Sequence, residues 1–224
     1  MSDIRRHTAS PLVLVGAGGH ARVLKALIEA AGLRLLGVVD PVLAREKAQT
    51  WLDLPVLGDD LSLMNMDAGS IGLVHGIGQT PGSTVRYLIY NKLYAAGFRF
   101  PPLIHPHAWV APDALLADGV QVMAGAVVQP ACRIGENTIV NTRASIDHDG
   151  NIGSHVHVAP GAVLCGGITL ESGVFIGAGA VLLSNLKVGS GATVAAGSTL
   201  SRDLGAGAIH HRTQRSAQPT VSQP

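Results

Sequence analysis

Along residues 108 to 200 the hydrophobic pattern keeps a beat of six. From Val110 onward every sixth residue is aliphatic: Val110, Leu116, Val122, Val128, Ile134, Val140, Ile146, Ile152, Val158, Leu164, Leu170, Ile176, Leu182, Val188, Val194 and Leu200. With such residues at roughly a third of positions, chance would give that run about once in tens of millions of trials. Two places before each aliphatic the residue is usually small, as at Ala108, Ala114, Ala126, Cys132, Ala144, Ala162, Ala180, Ala192 and Ser198. The place after it is often glycine, asparagine or another short residue, as at Gly135, Asn141, Gly153, Gly177 and Gly189. Six is neither the helical period nor simple strand alternation. It predicts short strands joined by tight corners, each strand sending one aliphatic inward. Three such strands close a triangular coil, and stacked coils set the aliphatics above one another. Each buried aliphatic contributes about 1.5–3 kcal/mol, and neighbouring coils satisfy one another's backbone groups. Glycine and asparagine suit the corners because they tolerate left-handed backbone angles.

Residues 11 to 101 follow another rhythm. "PLVLVG" reads as a strand and "AGGH" as a glycine-rich turn, while "ARVLKALIEAAG" spaces its apolar residues as a helix and stops at Gly32. "LRLLGVVD" is a second strand ending in Asp40, "GSIGLVHGIG" a third with its own glycine turn, and "STVRYLIYNKLYAAG" a second helix closed by glycine. Strand–helix alternation predicts a small parallel sheet. Pro101-Pro102 punctuates the passage into the repeat, and after Leu200 the chain turns polar. The expected division is an α/β domain over residues 1–101, a β-solenoid over 102–203 and a polar tail over 204–224.

Composition narrows the classes. Of 224 residues, 47% are hydrophobic and only 14% charged, which is core-forming rather than disordered. A formal net charge of +1 offers no field for nucleic acid or anionic lipid. Only the stretch from Ile209 to Arg215 is locally basic, and it reads as a solvated end. No run approaches the roughly 18 apolar residues that span a membrane. Arg5-Arg6 before "PLVLVG" has a faint leader look, but the apolar run is short and lacks a small-x-small cleavage site. Cys132 and Cys165 form no CxxC and suggest no disulfide framework, which fits a cytoplasmic protein.

Two constellations carry chemistry. Gly16, Gly18 and Gly19 with His20 and Ala21 match G-x-G-x-x-A between a strand and a helix, and Asp40 ends the next strand as a dinucleotide fingerprint expects. Such a turn lets a phosphate approach the positive end of a helix; a tight turn that merely packs helix on sheet is the plain alternative. Gly76 and Gly78 form a second turn on the same sheet edge, and one mononucleotide with a sugar would fit between the two, with His20 at a phosphate or sugar and Asp40 at a base or ribose. The second constellation is Asp147-His148-Asp149, either a charged corner of a repeat or a histidine base flanked by carboxylates.

Taken with "VGAGGHARV", "VVD", "LIHPHAWVAP", "VNTRASIDHD", "HVHVAPGAVLCGG" and "IGAGAVL", the chain resembles the hexapeptide-repeat sugar acetyltransferases of the sialic-acid O-acetyltransferase type, over roughly residues 11 to 203. The branch nearest in pattern acetylates 4-amino nucleotide sugars. The resemblance implies a Rossmann-like nucleotide-sugar-binding domain followed by a left-handed parallel β-helix, acetyl-CoA as co-substrate without a metal, and a homotrimer. It implies His148 as general base and Asp149 as its orienter, with Asp147 and Asn141 near the sugar. It implies that His157 meets the acetyl carbonyl and the Gly166 N–H steadies the thioester oxygen. Gly167, Ala178 and Ala196 line the coenzyme A groove by the same token. His155 reads as surface-facing filler and Cys165 as small packing. The family's "GNPAK"-like closing segment is replaced here by "GAIHHRTQ". Three rivals stand beside this reading: O-acetylation of a sialic-acid-type sugar, a metal-dependent carbonic-anhydrase-like enzyme, and a non-catalytic nucleotide-sensing scaffold. An alanine at His148 would leave such a scaffold functional.

Overall fold

A computed structural model describes residues 10–211. Arg5-Arg6 and the basic residues Arg212 and Arg215 lie outside the described residues. The N-terminal domain runs β1 (Leu12–Val15), α1 (Gly19–Ala30), β2 (Leu35–Val39), α2 (Pro41–Arg45), β3 (Thr50–Trp51), β4 (Leu54–Gly58), α3 (Asp60–Met64), β5 (Gly72–His75) and α4 (Val85–Ala95). The sheet order is β3-β4-β2-β1-β5. Four strands are parallel, but the edge strand β3 pairs antiparallel with β4, so the sheet is mixed rather than purely parallel. The cause is the two-residue turn at Leu52 and Asp53, both with left-handed φ of 47° and 67°, a hairpin geometry that apolar patterning does not reveal. The short elements between residues 41 and 64 were not legible for the same reason. Each is too brief to show a period.

From Leu103 onward the described residues form a left-handed parallel β-helix of two-residue strands in three sheets of six, five and seven strands. The first face carries the strands that begin at Trp109, Val127, Ser145, Val163, Val181 and Thr199. The second begins at Leu115, Arg133, Asn151, Thr169 and Lys187, and the third at Leu103, Gln121, Ile139, His157, Phe175, Thr193 and Ile209. Strands stack in register one coil apart, as Ser145 on Val163 and His157 on Phe175. From Val122 to Leu200 every beat position is at most 2% exposed, whereas Val110 and Leu116 are only partly buried because no full coil lies beneath them. Corners carry left-handed residues even where the residue is not glycine: Asn137, Arg143, Asp149 and His155 have φ of 56°, 57°, 59° and 58°.

The coil does not stop at residue 203. Leu204 bridges Val188, and Ile209–His210 pairs with Thr193–Val194. Part of the segment read as a polar tail, including "GAIH", therefore belongs to the prism. The last coil is two residues shorter than the others, which throws it off the beat of six. The third face meets the α/β domain through a shared apolar core in which Leu103, Met123 and Ile139 join Leu12, Leu24 and Ile28. Burial of that seam fixes which side of the prism the sheet edge addresses.

Candidate active site

His148 stands on the corner between the first and second faces. The Asp147 carboxylate accepts from the His148 backbone N–H at 2.8 Å, and Asp149 Oδ2 lies 2.8 Å from His148 Nδ1. An ionised carboxylate only accepts, so Nδ1 carries the proton and Nε2 keeps its lone pair. The imidazole rests on Gly166: a Cβ there would lie 2.5 Å from both Cε1 and Nε2, so only the bare backbone fits beneath the ring. The N–H groups on either side of Gly166 are spent, Cys165 on the Leu182 carbonyl and Gly167 on that of His148. The Gly166 N–H has no backbone acceptor among the described residues. A base nitrogen and a free donor are thus neighbours. The Asp149 hydrogen bond, helped by the charge of Asp147, raises the His148 pKa above its ordinary 6.5. The side chain is 63% exposed, so it faces whatever approaches this edge. A groove of about 180 Å³ beside it is lined by Asp147, Ser145, Val163 and Cys165.

The glycine turns lie elsewhere. Gly16 adopts a φ of +92°, and a Cβ on it would come 2.9 Å from Ile77 Cγ1. A Cβ on Gly76 would meet the Val15 carbonyl at 2.8 Å, so the two turns interlock. With Gly18, Gly19, His20, Asp40 and Gly78 they line a cavity of about 300 Å³ at the sheet edge. Gly18 caps α1 without a side-chain hydrogen bond, which leaves the helix's first amides open to an anion.

Two residues expected at a ligand are held by the protein itself. Asp40 spends one oxygen on the Val42 and Leu43 amides, capping α2, and the other on the Ala17 amide at 3.0 Å. It fastens the glycine turn. His20 turns Nε2 to Gln121 Oε1 at 2.8 Å, while Gln121 Nε2 donates to the His75 carbonyl at 3.0 Å. Gln121 is therefore the acceptor and His20 the donor, leaving Nδ1 as the nitrogen open to a ligand. Burial, then the nearby Arg86 charge, lowers the His20 pKa to about 4, so it is no phosphate-binding cation.

His157 sits on the third face, 7% exposed. Its Nδ1 donates to the Gln79 carbonyl at 3.2 Å and its Nε2 accepts from Asn141 Nδ2 at 3.1 Å. Both nitrogens are committed, and burial lowers its pKa to about 4. An acetyl oxygen would reach this ring only by taking the place of Asn141 or Gln79. His155 is not surface filler. It is half-buried, with Tyr87 edge-on at 4.8 Å between ring centroids and Nδ1 3.0 Å from Asn137 Nδ2. It occupies the corner before the strand, which an alternation argument misplaces. Ala178 and Ala196 stack on the remaining corner, where the Gly197 N–H donates to the Ala178 carbonyl at 2.8 Å. Gly167, φ +70°, leaves only 2.3 Å between a Cβ and Asn185 Oδ1.

One chain thus gathers His148, Asp149, Gly166 and Gly167 on one edge, and the glycine turns, Asn141 and His157 around the third face. The sequence reading missed Gln79, Gln121 and Arg86, which knit the domains together. Arg86 donates to the carbonyls of His75, Ile77 and Asn137 at 3.0, 2.6 and 3.4 Å. A signal existed: Arg86 shares the buried stripe of α4 with Tyr90 and Leu93. Among the described residues no three His, Cys, Asp or Glu side chains converge as a metal site would require.

Residues 11–93 match the family model for the PglD N-terminal domain, and residues 167–202 that for the bacterial transferase hexapeptide (six repeats). The chain is similar to the acetyltransferase domain of PglB from Neisseria gonorrhoeae FA1090 in complex with acetyl coenzyme A: 33% identical, covering 89% of this chain and 94% of that one, TM-score 0.80. It is similar to PerB from Caulobacter crescentus, solved with CoA and GDP-perosamine: 32% identical, 90% and 93% covered, TM-score 0.81. WeeI from Acinetobacter baumannii AYE shares the fold at 22% identity, with 90% and 96% covered and a TM-score of 0.77.

Proposed function

The chain belongs to the family of hexapeptide-repeat acetyltransferases with a PglD-type N-terminal domain, and from that premise we propose that it moves the acetyl group of acetyl-CoA onto the 4-amino group of a nucleotide-linked amino sugar. The observation that carries the mechanism is the stack of His148 on Gly166, with Nδ1 tied to Asp149. The amine attacks the thioester carbon and His148 Nε2 takes the proton the nitrogen must lose. Asp149 holds the tautomer and steadies the imidazolium. The Gly166 N–H donates to the oxyanion. Collapse expels the coenzyme A thiolate, which the imidazolium reprotonates, leaving an amide and a free thiol. The nucleotide lies along Gly16, Gly18, Gly19, Gly76 and Gly78, its phosphates at the open end of α1, and Asn141 and Asp147 contact the sugar. His157, Gly167, Ala178 and Ala196 border the coenzyme A groove.

His148 and the glycine turns occupy different sides of one prism, so the reaction draws them from two chains of a homotrimer. The first face suits that assembly, since it leaves Trp109 and Val163 49% and 39% exposed, apolar surface that a second copy would cover. A cytoplasmic place in glycan biosynthesis fits both substrates. The test is a panel of 4-amino nucleotide sugars with acetyl-CoA, followed by thiol release. Release with at least one amino sugar supports the proposal. Release only with sialic acid would replace N- by O-acetylation, and release with neither would end it.

A further inference from the structure

A second cavity, about 300 Å³, opens between the start of α4 and the corner where the second and third faces meet. It shares no lining residue with the glycine-turn cavity. Its prism wall is the corner column Asn137, His155, Gly173 and Gly191. The first two positions carry side chains and the next two carry none, so the column empties opposite the helix. A Cβ on Gly191 would meet nothing within 4 Å.

The other wall is electropositive. Ser83 and Thr84 line it, and Thr84 caps α4 without a side-chain hydrogen bond, leaving the amides of the first turn of an 11-residue helix unsatisfied by a cap. Arg86 also lines it, 2% exposed, bonded only to carbonyls and paired with no carboxylate among the described residues. Buried cations without a counter-charge are costly. The Arg86 Nε and the Asn137 Oδ1 are buried with no partner. Tyr87 and His155 supply an aromatic side, their rings 4.8 Å apart and edge-on. Helix amides, hydroxyls and a guanidinium suit a phosphate; the rings and the remaining volume suit a ring attached to it.

We propose that this cavity binds a phosphate monoester carried on a ring, either a nucleoside monophosphate or a sugar phosphate, and that its occupancy is felt at His157. Gln79 is the link. It lines the cavity, its side chain donates to the His155 carbonyl at 3.0 Å, and its own carbonyl accepts from His157 Nδ1 at 3.2 Å. A ligand that moves Gln79 moves the partner that orients His157.

Calorimetric titration of the full chain with uridine 5′-monophosphate, glucose 1-phosphate and inorganic phosphate in separate arms tests the site without reference to acetyl transfer. One of the two ring phosphates is expected to bind more tightly than inorganic phosphate, and the arm that does so names the source. Gly191→Asn puts a side chain into the empty corner, at a backbone angle that Asn137 already adopts in the same column, and is expected to weaken that binding by about tenfold or more. Tyr87→Ala, at an exposed side chain, gives the same weakening should Gly191→Asn not fold. Absence of binding in all arms, or binding untouched by the cavity variants, would overturn the site. Binding in the wild type with no change in acetyl-transfer rate at saturation would overturn the link through Gln79.

Discussion

His148 and His157 flank the same coil, and the fold treats them in opposite ways. The corner holds its imidazole 63% exposed with an adjacent carboxylate, and the pKa rises. The seam holds His157 7% exposed and His20 partly buried, and their pKa values fall to about 4. At the corner the hydrogen bond to a carboxylate decides. At the seam desolvation decides, with Arg86 adding to it. The corner therefore holds an imidazole whose protonated form a carboxylate favours, and the seam holds neutral hydrogen-bonding parts that keep two domains in register.

The largest separation between the two is expected from His148→Ala. Removing a positioned base costs about 10²–10⁴-fold in kcat. The side chain is exposed and rests on the Gly166 backbone rather than among the aliphatics of the prism, so the melting temperature should hardly move. Steady-state thiol release and a thermal melt on the same preparation check both halves. Activity within a few-fold of wild type would take the base away from His148.

The same contrast explains what could be read from the chain alone. The prism was legible because its information is local: Val122, Val128 and Ile134 announce a coil without reference to any distant residue. His148 with its two aspartates was legible for the same reason. The seam was not, because its bonds join Gln79 to His157 and His20 to Gln121, pairs separated by 78 and 101 positions. Asp40 was found in the right place, but nothing in the chain announces that it also ties Ala17 to the start of α2. A fingerprint locates a carboxylate but does not say which amides surround it.

A smaller effect should appear on acidification, and it should fall on the seam. His20 and His157 titrate near 4 in the folded protein against an ordinary 6.5. Between those values the unfolded chain binds more protons, so stability is complete above the ordinary value and is lost as pH falls towards 4. Each shift corresponds to about 3 kcal/mol, less than twice that together because Arg86 is a shared cause. The prism interior is aliphatic and has no such term. Trp51 in the α/β domain and Trp109 on the prism report the two regions separately. In melts of single-tryptophan variants Trp51 should destabilise through this window more than Trp109 does. Parallel loss at both would mean that the domains do not part at the seam.

The finest test of the contrast is Asp149→Asn, which leaves the corner its left-handed backbone, since asparagine adopts such angles readily. The substitution removes the hydrogen bond that is the main cause of the raised His148 pKa, while Asp147 remains to contribute its charge. A base works deprotonated, so the acidic limb of the kcat/KM profile follows the His148 pKa in the free enzyme. With Asp149 neutralised that limb should move to lower pH, towards the ordinary imidazole value. The rate on the plateau should nonetheless drop, because the asparagine amide can donate to Nδ1 and so favour the tautomer with a proton on Nε2, where it blocks the lone pair needed by the amine. A base that becomes easier to deprotonate but poorer at its task is the signature of orientation by Asp149. An unmoved limb would assign the titration to another group, and a moved limb with an undiminished plateau would leave Asp149 as a charge alone.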